Sequence, residues 1–300
     1  MCGIAGIVRR GGSTPPDRFA LQRMLDAIVH RGPDDAGMLI RGPVAMGMRR
    51  LSIIDLDGGH QPIANEDESI WIVCNGEIYG FRELRDGLQR QGHRFRTHSD
   101  SEVALHAYEQ YGLDFLEHID GMFAIAIWDI RQERLVLARD RMGIKPLYYS
   151  RSGGDLAFAS ELKSLQRSGM AGNDIDARTL QDYLSLGYAV APGTMLKDVR
   201  KLPPASMLVW DLSGCRISKY WSLPTQVDSG VTETQWVEQI RETFVASVRK
   251  QMVSDVPLGA FLSGGIDSSA IVGVMSSLSQ TPVNTYAIGY RGNDYYNELP

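Results

Sequence analysis

Cysteine is scarce in this 300-residue chain: Cys2, Cys74 and Cys215 are odd in number and far apart. That argues against a disulfide framework and suits a reducing compartment, so the expected location is the cytoplasm. No apolar run approaches the length of a bilayer span, and no membrane partner is expected. The N-terminus lacks a basic region leading into an apolar core and a cleavage site, the marks of a secretory signal. Runs of lysine and arginine are missing too, and the net charge of −5 argues against a nucleic-acid partner. What remains, 43% hydrophobic and 22% charged with no low-complexity tract, is a globular composition long enough for two cores.

The chain opens MCGIAGIV, seven small or apolar residues after Met1 that read as a strand buried on both faces. Termini fray unless something ties them down. Cys2 is then either an ordinary core residue or the group around which the terminus is built, and locally the first reading is the simpler.

Up to about residue 165, strand and helix patterns alternate. Phe19, Met24, Leu25, Ile28 and Val29 mark one helical face, stopped by Gly32-Pro33, after the polar break GGSTPPD. VAMGMRR, LSIID and IWIVCN read as strands, and FRELRDGLQRQ and SEVALHAYEQYG as helices. MFAIAIWDIRQERLVLARD reads as a hairpin turning at Arg131–Glu133; LYYS and LAFAS form another pair around Gly153-Gly154. Two strand-rich layers with helices outside predict a four-layer α/β sandwich. Residues 166–231, punctuated by Pro192, Pro203, Pro204 and Pro224, read as a connecting segment. A second domain is expected over 232–300. A helix starts near Thr232 with Trp236, Ile240, Phe244 and Val248 four apart, then a βαβ unit spans VPLGAFLSGGIDSSAIVGVMSSLS and VNTYAIGY. One βαβ unit cannot cover both faces of a parallel sheet, so the chain is expected to be part of a longer polypeptide.

Two stretches carry chemistry. In SGGIDSS (263–269) the glycines turn the chain tightly and the following helix offers unpaired N–H groups beside serine hydroxyls, a cradle for phosphate. Asp267 stands where a carboxylate could hold Mg²⁺; the loop lacks the Gly-Lys-Ser/Thr ending of a Walker A motif, and a plain helix cap is the alternative. At the other end, an N-terminal cysteine would carry its own base, since an α-amino group titrates near neutrality and the small second residue permits loss of Met1. NGE (75–77) follows the strand IWIVC, where Asn75 and Gly76 could donate to an oxyanion and Glu77 could accept a cation. By itself NGE reads better as a strand-ending turn.

MCGIAGIV, HRGPDD (30–35), RRLSIIDL (49–56), GGHQP (58–62), NGEIY (75–79), SDSEV (99–103), GMFAIAIWD (121–129) and RDRMGIKPLYY (139–149) occur together and in order. The set resembles the glutaminase domain of glutamine-hydrolysing asparagine synthetases and their amidotransferase relatives. SGGIDSS at this distance is similar to the pyrophosphate loop of their synthetase domain. The resemblance spans nearly the whole chain. It implies an αββα glutaminase domain of the N-terminal-nucleophile (Ntn) hydrolase type over 2–165, then the start of a parallel-sheet, ATP-pyrophosphatase-type domain.

The resemblance also implies roles. Cys2 would attack the glutamine carboxamide to give a thioester and ammonia, with Asn75 and Gly76 as oxyanion hole. Arg50 would bind the α-carboxylate of glutamine, and Glu77 and Asp100 its α-amino group, pairings that make charge sense. Ser263, Gly264, Gly265, Asp267, Ser268 and Ser269 would grip ATP, Asp267 with Mg²⁺, and Leu262 and Ile288 would line the nucleotide pocket. The implied reaction turns a carboxylate, L-aspartate first among candidates, into an amide through an acyl-adenylate, releasing AMP and pyrophosphate. A homodimer is compatible with the resemblance. A peptide, natural-product or envelope-sugar acceptor is the second reading, and a non-catalytic relative the third. One departure is Gly80, where the family often has asparagine. His93, His98 and His106 fall on separate elements without metal-ligand spacing and read as solvent or core residues, His30 as a packing residue, and Cys74 and Cys215 as inert.

Overall fold

The computed structural model describes residues 1–11, 15–227 and 230–289. Part of the expected polar break (12–14) and the chain from Tyr290 on lie outside them. The chain divides into two units, Met1–Leu223 and Pro224–Pro300.

In chain order the first unit contains β1 (Gly3–Val8), α1 (Arg18–Asp26), β2 (Asp35–Arg41), β3 (Val44–Arg50), β4 (Ile63–Ala64), β5 (Ile70–Tyr79), α2 (Phe81–Arg90), α3 (Asp100–Tyr111), β6 (Asp120–Asp129) and β7 (Arg134–Arg139). Then come β8 (Tyr148–Ser152), β9 (Asp155–Ala159), α4 (Leu162–Arg167), α5 (Ala177–Leu186), β10 (Val199–Lys201), β11 (Ser206–Asp211) and β12 (Gly214–Lys219). The strands form two six-stranded antiparallel sheets, ordered β10-β8-β9-β1-β3-β2 and β12-β11-β7-β6-β5-β4.

Period-two alternation sorts the side chains. Ile4 and Val8 of β1 join Met46, Met48, Val73, Ala124, Ala126, Leu137 and Phe158 in the core between the sheets. Ala5 and Ile7 face outward onto Leu21, Met24, Leu25 and Ile28 of α1 and its C-terminal extension, with Leu165 of α4 beside them. α3 lies on β5 of the other sheet and α2 packs against α3. The result is the expected four-layer αββα sandwich. β1 is buried on both faces, and each fully buried aliphatic side chain contributes roughly 1.5–3 kcal/mol. That holds the chain terminus against fraying and so fixes Cys2.

The structure differs from the sequence reading in four places. The buried face of α1 runs through Leu21 rather than Phe19, which is 73% exposed. LSIID is not a strand; residues 51–59 leave β3 and wrap around Arg50. NGE does not end a strand, because β5 runs on through it to Tyr79 against β6. Residues 166–231 do more than connect: α5 forms there, β10 completes one sheet, and β11 and β12 extend the other.

In the second unit, α6 (Glu233–Gln251) starts at a capping box in which Thr232 and Gln235 satisfy each other's backbone N–H groups. β13 (Gly259–Phe261), α7 (Ile266–Leu278) and β14 (Asn284–Tyr286) form the expected βαβ unit with a parallel strand pair. No helix of the described residues is long and apolar enough to cross a membrane.

Candidate active site

The register of β1 on β3 pairs Gly3 with Arg49, so Cys2 meets the point where the chain leaves β3. There Leu51 N–H donates to Cys2 Sγ at 3.3 Å, and the thiol faces Leu51 O at 3.5 Å. Arg31, from the HRGPDD motif, donates from Nε to Cys2 O at 2.8 Å and is itself held by Glu161 at 3.1 Å. His30 shares that carboxylate at 2.8 Å, an exposed hydrogen-bonded position rather than the packed one expected. Burial pushes the Cys2 thiol up; Leu51 N–H, the neighbouring α-amino group and the Arg50 guanidinium pull the other way. Burial also lowers the α-amino group of Met1, which brings a nearby amine closer to a neutral base at physiological pH.

The second wall is the edge of β5. β4 pairs only with Ile72 and Trp71, which leaves the outer edge of β5 bare beyond them. Cys74 N–H on that edge donates to the buried Gln61 Oε1 at 2.7 Å, and Ile78 N–H donates to Asp100 Oδ2 at 2.7 Å. Gly76 lies between them with the same parity, so its N–H points off the edge too, into the pocket lined by Cys2 and Asn75. A Cβ at Gly76 would lie 2.6 Å from Phe123 Cα, which explains the glycine by the closeness of β6. Asn75 projects its side chain between the sheets, 1% exposed, and among the described residues its Nδ2 has no hydrogen-bond partner. A buried amide donor without an acceptor costs free energy unless a ligand supplies one.

Charge in the pocket is polarised. The Arg50 guanidinium, 5% exposed, is gripped by the carbonyls of Ile54 (2.8 Å), Asp55 (2.7 Å) and Leu56 (3.3 Å), and among the described residues it has no carboxylate partner within ion-pair distance. A Cβ at Gly59 would overlap that guanidinium, which accounts for the GGHQP glycine. Opposite in sign stand Glu77 and the buried Asp100. Burial, then the neighbouring Asp100, pushes the Glu77 carboxyl up to about 7, against the pull of Lys145. Burial raises Asp100 as well, against the donors Ile78 N–H, Ser101 N–H and the Ser99 hydroxyl.

Lys145 and Gln61 are site residues that reading the motifs did not single out. Asp140, 1% exposed, accepts from the N–H groups of Phe123, Met142, Ile144 and Lys145, folding the RDRMGIKPLYY turn so that Lys145 lines the pocket. Gln61 ties the β5 edge to Ser101 of α3 at 3.2 Å. Only their membership of the quoted motifs could have flagged them. Gly80 caps α2 at φ 65°, a left-handed position that glycine and asparagine both accept, which explains how the family's residue can be exchanged here. Together Cys2, Arg50, Asn75, Gly76, Glu77 and Asp100 line one cavity of about 170 Å³.

The phosphate-loop candidates belong to the second unit. Gly264 takes φ 76° and Gly265 is the N-cap of α7, without a side-chain cap. Ser268 Oγ lies 3.1 Å from Ser263 Oγ and donates to Gly265 O at 3.2 Å. Asp267 and Ser269 stand in the first turn, Leu262 N–H donates to Tyr286 O at 2.8 Å, and Ile288 follows β14, exposed. For Mg²⁺ the loop offers one carboxylate and three hydroxyls, all oxygen donors. That set fits an ion carried in with phosphates rather than a complete protein cage.

An αββα sandwich whose pocket holds the second residue's thiol defines an amidotransferase-type domain, and comparison with known proteins agrees. Residues 1–221 match the glutamine amidotransferase domain family, and the chain belongs to it. Residues 239–300 match the asparagine synthase family. The chain is 36% identical to asparagine synthetase [glutamine-hydrolyzing] 3 of Bacillus subtilis over 99% of its own length and 49% of the relative's. It is 34% identical to an amidase of Penicillium rubens, covering 93% of this chain and 43% of that one. The chain thus spans about half the length of the curated relatives it matches. Among solved structures, glutamine phosphoribosylpyrophosphate amidotransferase from B. subtilis superposes with a TM-score of 0.55 at 17% identity, covering 100% of this chain and 69% of that one. At that identity the likeness is one of fold.

Proposed function

We propose that the first unit hydrolyses glutamine and that the ammonia serves ATP-dependent amide synthesis, with L-aspartate as first candidate acceptor. The observation that carries the first half is the buried, unpartnered Asn75 amide beside the Cys2 thiol, between poles of opposite charge. An α-amino acid zwitterion has complementary poles: its carboxylate suits Arg50, and its ammonium suits Glu77 and Asp100.

With Met1 removed, the Cys2 amine takes the thiol proton as Sγ attacks the carboxamide carbon. The oxyanion forms against Asn75 Nδ2 and Gly76 N–H. Collapse breaks the C–N bond, the amine returns its proton, ammonia leaves and a thioester remains. Water, deprotonated by the same amine, then releases glutamate. For the second half, the SGGIDSS backbone and serines would bind the pyrophosphate of ATP at the N-terminus of α7, Mg²⁺ neutralising its charge near Asp267, with Leu262 and Ile288 beside the nucleotide. A second reading keeps this chemistry and changes the acceptor, supported by relatives named both as asparagine synthetases and as amidases. The deciding experiment gives the natural protein ATP, Mg²⁺, glutamine and L-aspartate and measures AMP and asparagine. Aspartate-dependent AMP with matching asparagine supports aspartate; glutamate release without it moves the acceptor to another carboxylate.

The pocket's own titration gives a further expectation. Glu77, pushed up to about 7, must lose its proton before it can pair with the ammonium of glutamine. The kcat/KM for glutamine therefore falls as pH drops through 7, approaching about tenfold per unit below it. Glu77→Gln lowers kcat/KM at pH 8 and flattens that limb. An unchanged limb in the variant assigns it to another group.

A further inference from the structure

On the far side of α3 from the pocket, four side chains from three parts of the chain converge: Glu66 from the β4–β5 turn, His93 from the α2–α3 connection, and His106 and Glu109 from α3. Spacing alone kept these histidines apart, yet in the fold His93 and His106 lie with ring centroids 5.1 Å apart; His98 stays outside the group. One ligand atom from each of the four residues falls within 4.8 Å of every other. His93 Nδ1 and His106 Nδ1 approach Glu109 Oε2 at 3.3 and 3.1 Å, and His106 Nδ1 is 3.9 Å from Glu66 Oε2. A tetrahedron with metal–ligand bonds of about 2.0–2.1 Å has edges of about 3.3–3.4 Å, so the His93–Glu109 spacing is already that of a coordination shell, while the His106–Glu109 pair is at present hydrogen-bonded and would open slightly around an ion.

The outward atoms of the same residues strengthen the case, because each faces a polar group of its own. Glu66 Oε1 accepts from Arg94 N–H at 2.6 Å, and Glu109 Oε1 accepts from Asn65 Nδ2 at 2.8 Å. His93 Nε2 meets Gln110 Oε1 at 3.0 Å. His106 is fully buried; its Nε2 lacks a hydrogen bond but faces the buried Glu102 Oε1 at 3.6 Å. An acceptor beyond each Nε2 favours the tautomer whose Nδ1 lone pair points inward, the carboxylate–histidine arrangement that supports metal ligands. Four acceptors then face one point, and a cation answers them. We propose that Glu66, His93, His106 and Glu109 form a binding site for one divalent transition-metal ion of the zinc class. Two imidazole nitrogens with two carboxylate oxygens select that class over magnesium or calcium. The ion would clamp the β4–β5 turn and the 93–96 segment to α3, whose first turn carries Asp100. The inference stands independently of the glutamine chemistry.

The test titrates chelator-stripped protein with Co²⁺, then Zn²⁺, in a Cys2→Ala background so that the pocket thiol does not compete. The expected result is one equivalent of Co²⁺ with the visible absorption of tetrahedral coordination, displaced by Zn²⁺. Glu109→Gln and His93→Gln each weaken affinity at least tenfold while circular dichroism reports an unchanged fold. Glu66→Gln, at a more exposed position, is the third variant should either of those fail to fold. No saturable one-equivalent signal, or unchanged affinity in folded variants, overturns the proposal and leaves an ion-paired histidine–carboxylate cluster only.

Discussion

Cys2→Ala abolishes glutamine hydrolysis, by ~10⁴-fold or more, the scale seen when a catalytic nucleophile is removed. No neighbouring group substitutes for it. Cys74 also lines the pocket, but its thiol is fully buried and burial holds it far above the ordinary range, so no thiolate forms there. The fold survives, because the Cys2 thiol hydrogen-bonds only to the Leu51 backbone and packs at the margin of the core, while β1 is anchored by the buried Ile4, Ile7 and Val8. Glutamine affinity, measured by calorimetry, stays within a few-fold, since the charged poles are untouched. Synthesis supplied with free ammonia also persists under the proposed function. Residual hydrolysis within tenfold of the natural protein would show that Cys2 is not the nucleophile.

Asn75→Ala removes the side-chain donor of the oxyanion pair. Loss of one such donor costs about 10²–10³ in kcat. The effect falls on kcat rather than KM, because the substrate carbonyl gains full negative charge only near the transition state. Stability gives an independent readout. Asn75 Nδ2 is buried without a partner, so its removal relieves a desolvation cost, and Tm is expected to hold or rise. A structural asparagine would behave in the opposite way, with a lower Tm and little change in kcat per folded molecule. Steady-state kinetics and thermal unfolding on the same variant separate the two roles.

The candidate site was legible in residue types before it was legible in space. Cys2 stands out only in the company of the other motifs, since locally it reads as an ordinary core residue. Arg50, Glu77 and Asp100 fit the poles of an amino acid, although they come from two strands and the first turn of a helix. The misreadings have a common cause. Asn75-Gly76 looks like a turn because both residue types favour turns, but pairing with Ala124 and Phe123, nearly fifty residues later, holds it extended. LSIID alternates like a strand, but its onward carbonyls are drawn to a buried guanidinium instead of a neighbouring strand. Residues 207–210 find their partners at 135–138, a sheet membership that the flanking Pro203, Pro204 and Pro224 conceal in the sequence. His93 and His106 read as separate solvent or core residues because a loop and a helix bring their rings within 5.1 Å with no regular spacing between them in the chain.

By itself, then, the amino-acid sequence determined the alternation of strands and helices and the residue types of the candidate nucleophile and loop. These depend on short-range periodicity and on side-chain chemistry, which every stretch of sequence carries. Tertiary structure alone decided that β5 runs through NGE with a bare edge, that Arg50 lies caged with no carboxylate partner in ion-pair range among the described residues, and that burial, then the neighbouring Asp100, pushes the Glu77 carboxyl up to about 7. Each depends on register and burial between segments far apart in the chain, where the electrostatics are set by neighbours that no local window contains.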